Sequence, residues 1–128
     1  MIYGIGTDIV EAARIGRLLE KFGERFAHRL LTPLERPRFD RSRRPAAYLA
    51  LRFAAKEAFS KAIGTGFRAP VLLSRISVVQ DALGKPGFAF HPSLAALLAA
   101  RGVTAHHLSL TDEAGIAFAV VVLERGGG

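Results

Sequence analysis

The chain has no cysteine among its 128 residues, which excludes disulfides and thiolate-held metal centres and suits a reducing cytoplasm. It also lacks a His-x-x-x-His pair, so zinc is a poor match and any metal would be a hard cation held by carboxylates, such as magnesium. The opening Met1 to Asp8 has no basic segment followed by a long apolar core. The longest apolar run, Ala114 to Leu123 interrupted by Gly115, is too short to span a bilayer. No export or membrane segment is expected. There is no Gly-x-Ser-x-Gly elbow and no Walker loop, and Gly4-Ile5-Gly6 is half a dinucleotide fingerprint without its third glycine.

Acidic residues fall short in one half only. Residues 1–70 hold 14 of the 18 Lys and Arg against 7 of the 11 Asp and Glu, whereas residues 71–128 hold 4 against 4. The whole excess of +7 therefore lies in the first half and predicts an acidic or phosphorylated partner. Nucleic acid is the competing partner, and a non-catalytic RNA- or phosphate-binding module is the competing function. Against both, no nucleic-acid motif accompanies the charge, and the aromatics are mostly Phe at core-like positions rather than interleaved with Arg.

Half of the residues are apolar, enough for one domain over residues 1–128 with a real core. Ala, Leu, Lys and Glu dominate residues 48–63, Pro45 suits a first helical turn and Gly64 a left-handed stop, so one long central helix is predicted there. Residues 2–8 read as a short strand with Gly4 and Gly6 inside, followed by a helix from about Ile9 to Phe22 with Ile15, Leu18, Leu19 and Phe22 inward. Thr32-Pro33-Leu34-Glu35 is a helix start signal, and Pro37 is expected to keep that helix short. Residues 76–80 and 87–91 flank a Gly- and Pro-marked turn as a hairpin, a helix spans Leu94 to Arg101, and residues 106–110 pair with Ile116 to Glu124. The last strand is apolar on both faces and should be central, and Gly126 to Gly128 should fray. The expected fold is α+β, an antiparallel sheet with helices packed on one side.

Several residues admit two readings. Asp8 with Glu11 three residues later fits an N-cap and capping box, yet Asp8 is also a carboxylate leaving a Gly-rich strand end. Glu57 and Lys61 are one turn apart, either as a pair on a solvated strip or as a carboxylate and an ammonium facing a polar cleft. His107 is either a structural histidine or a ligand contact. Arg14, Arg17 and Lys21 share one side of the first helix, with Arg25 beyond Gly23, as a solvated face or a docking face.

Arg52-Phe-Ala-Ala-Lys-Glu-Ala-Phe-Ser-Lys-Ala-Ile-Gly-Thr-Gly66 resembles the signature helix of the phosphopantetheinyl transferases, specifically the short group called holo-[acyl-carrier-protein] synthases. Gly6-Thr7-Asp8-Ile9-Val10 resembles that family's N-terminal metal motif, Gly84-Lys85-Pro86 its turn and His107-Leu108-Ser109-Leu110-Thr111 its late strand, in the same order. Leu51 stands where many members have Gly. The resemblance implies transfer of phosphopantetheine from coenzyme A to a serine of an acidic apo-acyl-carrier protein, releasing adenosine bisphosphate. It further implies magnesium on Asp8 and Glu57, with Lys61 at the leaving phosphate and Lys61, Arg52, Gly64, Lys85, Pro86, His107, Ser109 and Thr111 as coenzyme A contacts. Docking of the carrier on Arg14, Arg17, Lys21 and Arg25 follows from the same resemblance, as does a homotrimer with sites between protomers.

Overall fold

The computed structural model describes residues 1–126. Its centre is α4 (Pro45–Ile63), which begins with Pro45 in the first turn and ends at Gly64 in the left-handed conformation, φ 89°. Leu49, Ala50, Ala54, Ala55, Ala58, Phe59, Ala62 and Ile63 are all buried, so the helix is packed nearly all round, as its apolar periphery demands.

Around it the chain runs β1 (Ile2–Glu11), α1 (Ala12–Phe22), α2 (Glu24–Leu30) and α3 (Arg36–Arg41) before α4. A 3-10 turn at Leu73–Arg75, β2 (Ile76–Gln80), β3 (Pro86–Phe90), α5 (Pro92–Ala100), β4 (Val103–Glu113) and β5 (Ile116–Arg125) follow it. The strands form two antiparallel sheets, one of order β1-β5-β4 and one of β2-β3. β5 is the middle strand, as its apolar faces require. Phe59, Phe88, Phe90 and His106 join the two sheets, with ring centroids 5.0–5.7 Å apart.

Four expectations are corrected. β1 continues to Glu11 because it stays paired with β5 as far as Glu11 opposite Ile116, so the first helix starts at Ala12 rather than near Ile9. Phe22 points out and is 51% exposed, because α1 ends there and the chain turns at Gly23 into α2. Pro37 lies in the first turn of α3, where its missing amide hydrogen is harmless, and so starts that helix instead of limiting it. Gly126 is tied rather than frayed, its amide donating to the Gly102 carbonyl at 3.0 Å; Gly127 and Gly128 lie outside the described residues. No helix of the described residues is long and apolar enough to cross a membrane.

Candidate active site

β1 crosses α4 at the two glycines. A Cβ on Gly4 would overlap the carbonyl oxygen of Ala62, and one on Gly6 that of Ala58, so only glycine on the strand lets the two backbones meet. Asp8 is the next residue on that face of β1 and is opposite Ala119 of β5. The crossing thereby sets a strand carboxylate beside the last two turns of α4.

Asp8 is not a helix cap: the N-cap position is Glu11, and its side chain makes no capping bond. Lys61 instead reaches across from α4, its Nζ donating to Asp8 Oδ1 at 3.2 Å and to the Thr7 carbonyl at 3.0 Å. Its ion partner among the described residues is thus Asp8 and not Glu57. Burial pushes the Glu57 carboxyl above its ordinary range, and the Asp8 charge pushes it the same way, partly offset by Lys61 and Arg14. Two carboxylates close enough to repel, with one exposed ammonium beside them, form an oxygen donor set that favours a further cation. No group of three His, Cys, Asp or Glu exists among the described residues, so magnesium held here would complete its shell with water and phosphate, as that ion commonly does.

The raised Glu57 carboxyl carries a stability consequence of definite sign. A carboxyl whose folded-state pKa exceeds its unfolded value favours folding fully below the unfolded pKa and loses that contribution as pH rises through the folded one. Glu57→Gln has no charge to lose. It is therefore expected to raise Tm near pH 7.5 in the presence of a chelator, with the gain fading toward about pH 4. Calorimetry at both pH values checks this; an unchanged or lower Tm at the higher one contradicts it.

The other anticipated residues fall into separate places. Lys85, Pro86 and His107 line one cleft of about 350 Å³ with Phe88 and His106. His107 Nε2 is 2.7 Å from Glu124 Oε1, and Ser109 and Thr111 continue its face of β4 opposite Val120 and Phe118 of β5. That face is the one turned away from α4, whereas Asp8 faces α4. Gly64 borders a second cavity with Thr65, Arg68 and Arg101 beyond the helix end. Arg52 is not brought to either place: it is only 4% exposed, with its guanidinium carbon 4.0 Å from the Tyr48 ring centroid. Its expected contact with coenzyme A does not fit that burial. Arg14, Arg17, Lys21 and Arg25 are exposed as anticipated, and beside them Leu18, Phe22, Arg25, Phe26 and Arg29 line an apolar groove with a basic rim.

A buried ion pair escaped the sequence reading. Lys56 Nζ donates to Glu35 Oε1 at 2.7 Å, to the Leu30 carbonyl at 2.6 Å and to the Leu73 carbonyl at 3.1 Å, and both charged side chains are fully buried. The available signal was Glu35 itself. As in a capping box, Glu35 accepts the Thr32 amide at 2.9 Å, but its carboxylate also takes the Val78 amide at 3.0 Å.

Comparison with known proteins identifies the family. Residues 4–119 match the family model of the 4'-phosphopantetheinyl transferase superfamily. The holo-[acyl-carrier-protein] synthase of Nitrosospira multiformis is 61% identical over 125 residues, covering 98% of this chain and 100% of that protein. The crystal structure of the holo-[acyl-carrier-protein] synthase from Neisseria meningitidis superposes with a TM-score of 0.95 at 51% identity, covering 98% of this chain and 100% of that one. A holo-(acyl-carrier-protein) synthase from Bacillus anthracis, solved in complex with coenzyme A (3',5'-ADP), superposes with a TM-score of 0.82 at 38% identity, covering 98% and 99%.

Proposed function

Since the chain belongs to the holo-[acyl-carrier-protein] synthases of the 4'-phosphopantetheinyl transferase superfamily, we propose that it moves the phosphopantetheine arm of coenzyme A onto a serine of apo-acyl-carrier protein, with magnesium, releasing adenosine 3',5'-bisphosphate. The observation that carries this reading is the convergence of Asp8, Glu57 and Lys61 at the crossing of β1 and α4. Held by Asp8 and Glu57, magnesium would supply neutralising charge to the diphosphate of coenzyme A.

The remaining work belongs to the chain. The serine oxygen forms a bond to the phosphorus that carries the pantetheine, and the bond from that phosphorus to the adenosine bisphosphate oxygen breaks. Lys61, 53% exposed at its side chain, can turn its ammonium to the departing phosphate and stabilise the charge that collects there. The serine proton passes to Glu57 or to a water at the site.

The coenzyme A contacts proposed are Lys61, Gly64, Lys85, Pro86, His107, Ser109 and Thr111, with Arg52 left out for its burial. Because His107, Ser109 and Thr111 face away from α4 and Asp8 faces toward it, one copy cannot readily close both groups on one ligand. A homotrimer with sites between protomers answers this, and the sheet face concerned carries Ile5 and Ile9, 57% and 64% exposed. Sedimentation equilibrium giving a monomer would remove that part of the proposal. The reaction is placed in the cytoplasm, which fractionation of cells carrying a tagged copy checks.

Incubation with coenzyme A, magnesium and an apo-carrier protein tests the function: the carrier should gain the mass of one phosphopantetheine arm, and tight RNA binding without transfer would reverse the reading. Docking is assigned to the basic-rimmed groove between α1 and α2, with Arg14 and Arg17 on its flank. Lys21→Glu with Arg25→Glu is expected to raise the KM for the acidic carrier about tenfold at low salt, weaken its salt dependence and leave coenzyme A affinity unchanged. Arg14 is spared in that variant because its charge also acts on Glu57. Steady-state kinetics at two salt concentrations decide it, and an unchanged KM makes this face a merely solvated one.

A further inference from the structure

We propose that Glu35 is a positioning residue for the transfer reaction, holding α4 through Lys56 at the rotation that presents Glu57 to the site; this rests on the role given to Glu57 above. Where α4 meets Gly4 and Gly6 of β1 it presents two alanines, Ala58 and Ala62. That stretch brings backbones close with few interdigitating side chains, so directional anchoring of the helix must come from its other faces, where Phe59 packs on Phe88 and Phe90.

Lys56 adds directional bonds to that apolar packing. Its ammonium is bound by three acceptors on three segments: Leu30 at the end of α2, Glu35 before α3, and Leu73 in the 3-10 turn. Glu35 is itself fixed by the Thr32 amide and by the Val78 amide of β2, so every strong donor and acceptor of the pair is committed. Lys56 and Glu57 are consecutive and so project about 100° apart around the helix. One side chain is locked in the interior while its neighbour reaches the site. A rotation of about 10° would carry a side-chain tip some 5–6 Å from the axis through about 1 Å, a displacement that can cost about a hundredfold in rate. A buried ion pair is seldom more stable than well-packed apolar residues of the same volume, and its directional bonds are what an apolar pair could not reproduce.

The test is the double variant Glu35→Gln with Lys56→Met in the full chain, compared with the unaltered protein by Tm, by the Mn2+ dissociation constant from electron paramagnetic resonance and by single-turnover transfer read by mass spectrometry. The expected result is a folded protein whose Mn2+ dissociation constant rises about tenfold and whose transfer rate falls about tenfold or more. Adding the pair variant to Glu57→Gln should bring little further loss, since both act through one group. A folded double variant that binds Mn2+ and transfers like the unaltered protein overturns the proposal, as do losses that multiply with Glu57→Gln. Should the double variant fail to fold, Glu35→Asp keeps both charges and shortens the anchor by one methylene; weakened Mn2+ binding then supports the proposal and unchanged binding overturns it. Unaltered Mn2+ binding in Glu57→Gln alone sinks the metal reading and not this one, which then stands or falls on the coupling of the two transfer losses.

Discussion

Asp8→Ala and Glu57→Ala are each expected to lower kcat/KM for transfer by about a thousandfold or more, a barrier increase of about 4 kcal/mol, while the protein stays folded. Removing either carboxylate takes away one of only two anionic oxygen groups that the crossing of β1 and α4 offers a cation, and the diphosphate then meets Lys61 alone. For Asp8→Ala, stability should respond little. Asp8 makes no capping bond, so the loss of about 0.5–2 kcal/mol that follows removal of a cap does not apply. The Lys61 pair it gives up has a half-exposed ammonium, which holds such bridges to about 0–1 kcal/mol. Kinetics at saturating magnesium together with thermal melts separate the outcomes, and substantial turnover in either variant would sink the metal assignment.

Gly6→Ala should be the most damaging small change to the fold, destabilising by about 3 kcal/mol or more. The added methyl would overlap the Ala58 carbonyl and lie 2.8 Å from the Ala62 amide nitrogen, and these are backbone atoms of the buried central helix that cannot swing aside. Strand and helix would have to separate, carrying Asp8 away from Lys61, so activity should fall even in the fraction that folds. Gly16→Ala is the matched control: its Cβ meets only the Ala46 methyl, at an ordinary 3.5 Å. Inside α1 it should stabilise by about 0.5–1 kcal/mol. Chemical denaturation of the two variants gives the comparison, and equal stabilities would refute the steric account of the crossing.

The span of α4, its left-handed stop at Gly64, the β2-β3 hairpin and the central place of β5 were all legible, because each is signalled by neighbouring residues or by a period of two or 3.6. The end of β1 was not legible. Local chemistry at Asp8 and Glu11 favours a cap, and the strand runs on only because β5 pairs with it to Ile116. Phe22 fits the inward face of a helical pattern, yet the turn into α2 leaves it on the rim of a groove.

The amino-acid sequence by itself determined the order and type of most elements, the basic first half, and the residue types available for chemistry, since these depend on local propensity and on counts. Tertiary structure alone decided which cation meets which carboxylate. Lys61 bonds Asp8 across 53 residues rather than Glu57 one turn away, and Lys56 is buried on Glu35 across 21 residues. The Lys61 pairing follows from where β1 crosses α4, which the close backbone approach at Gly4 and Gly6 sets, and neither pairing is encoded by a spacing along the chain.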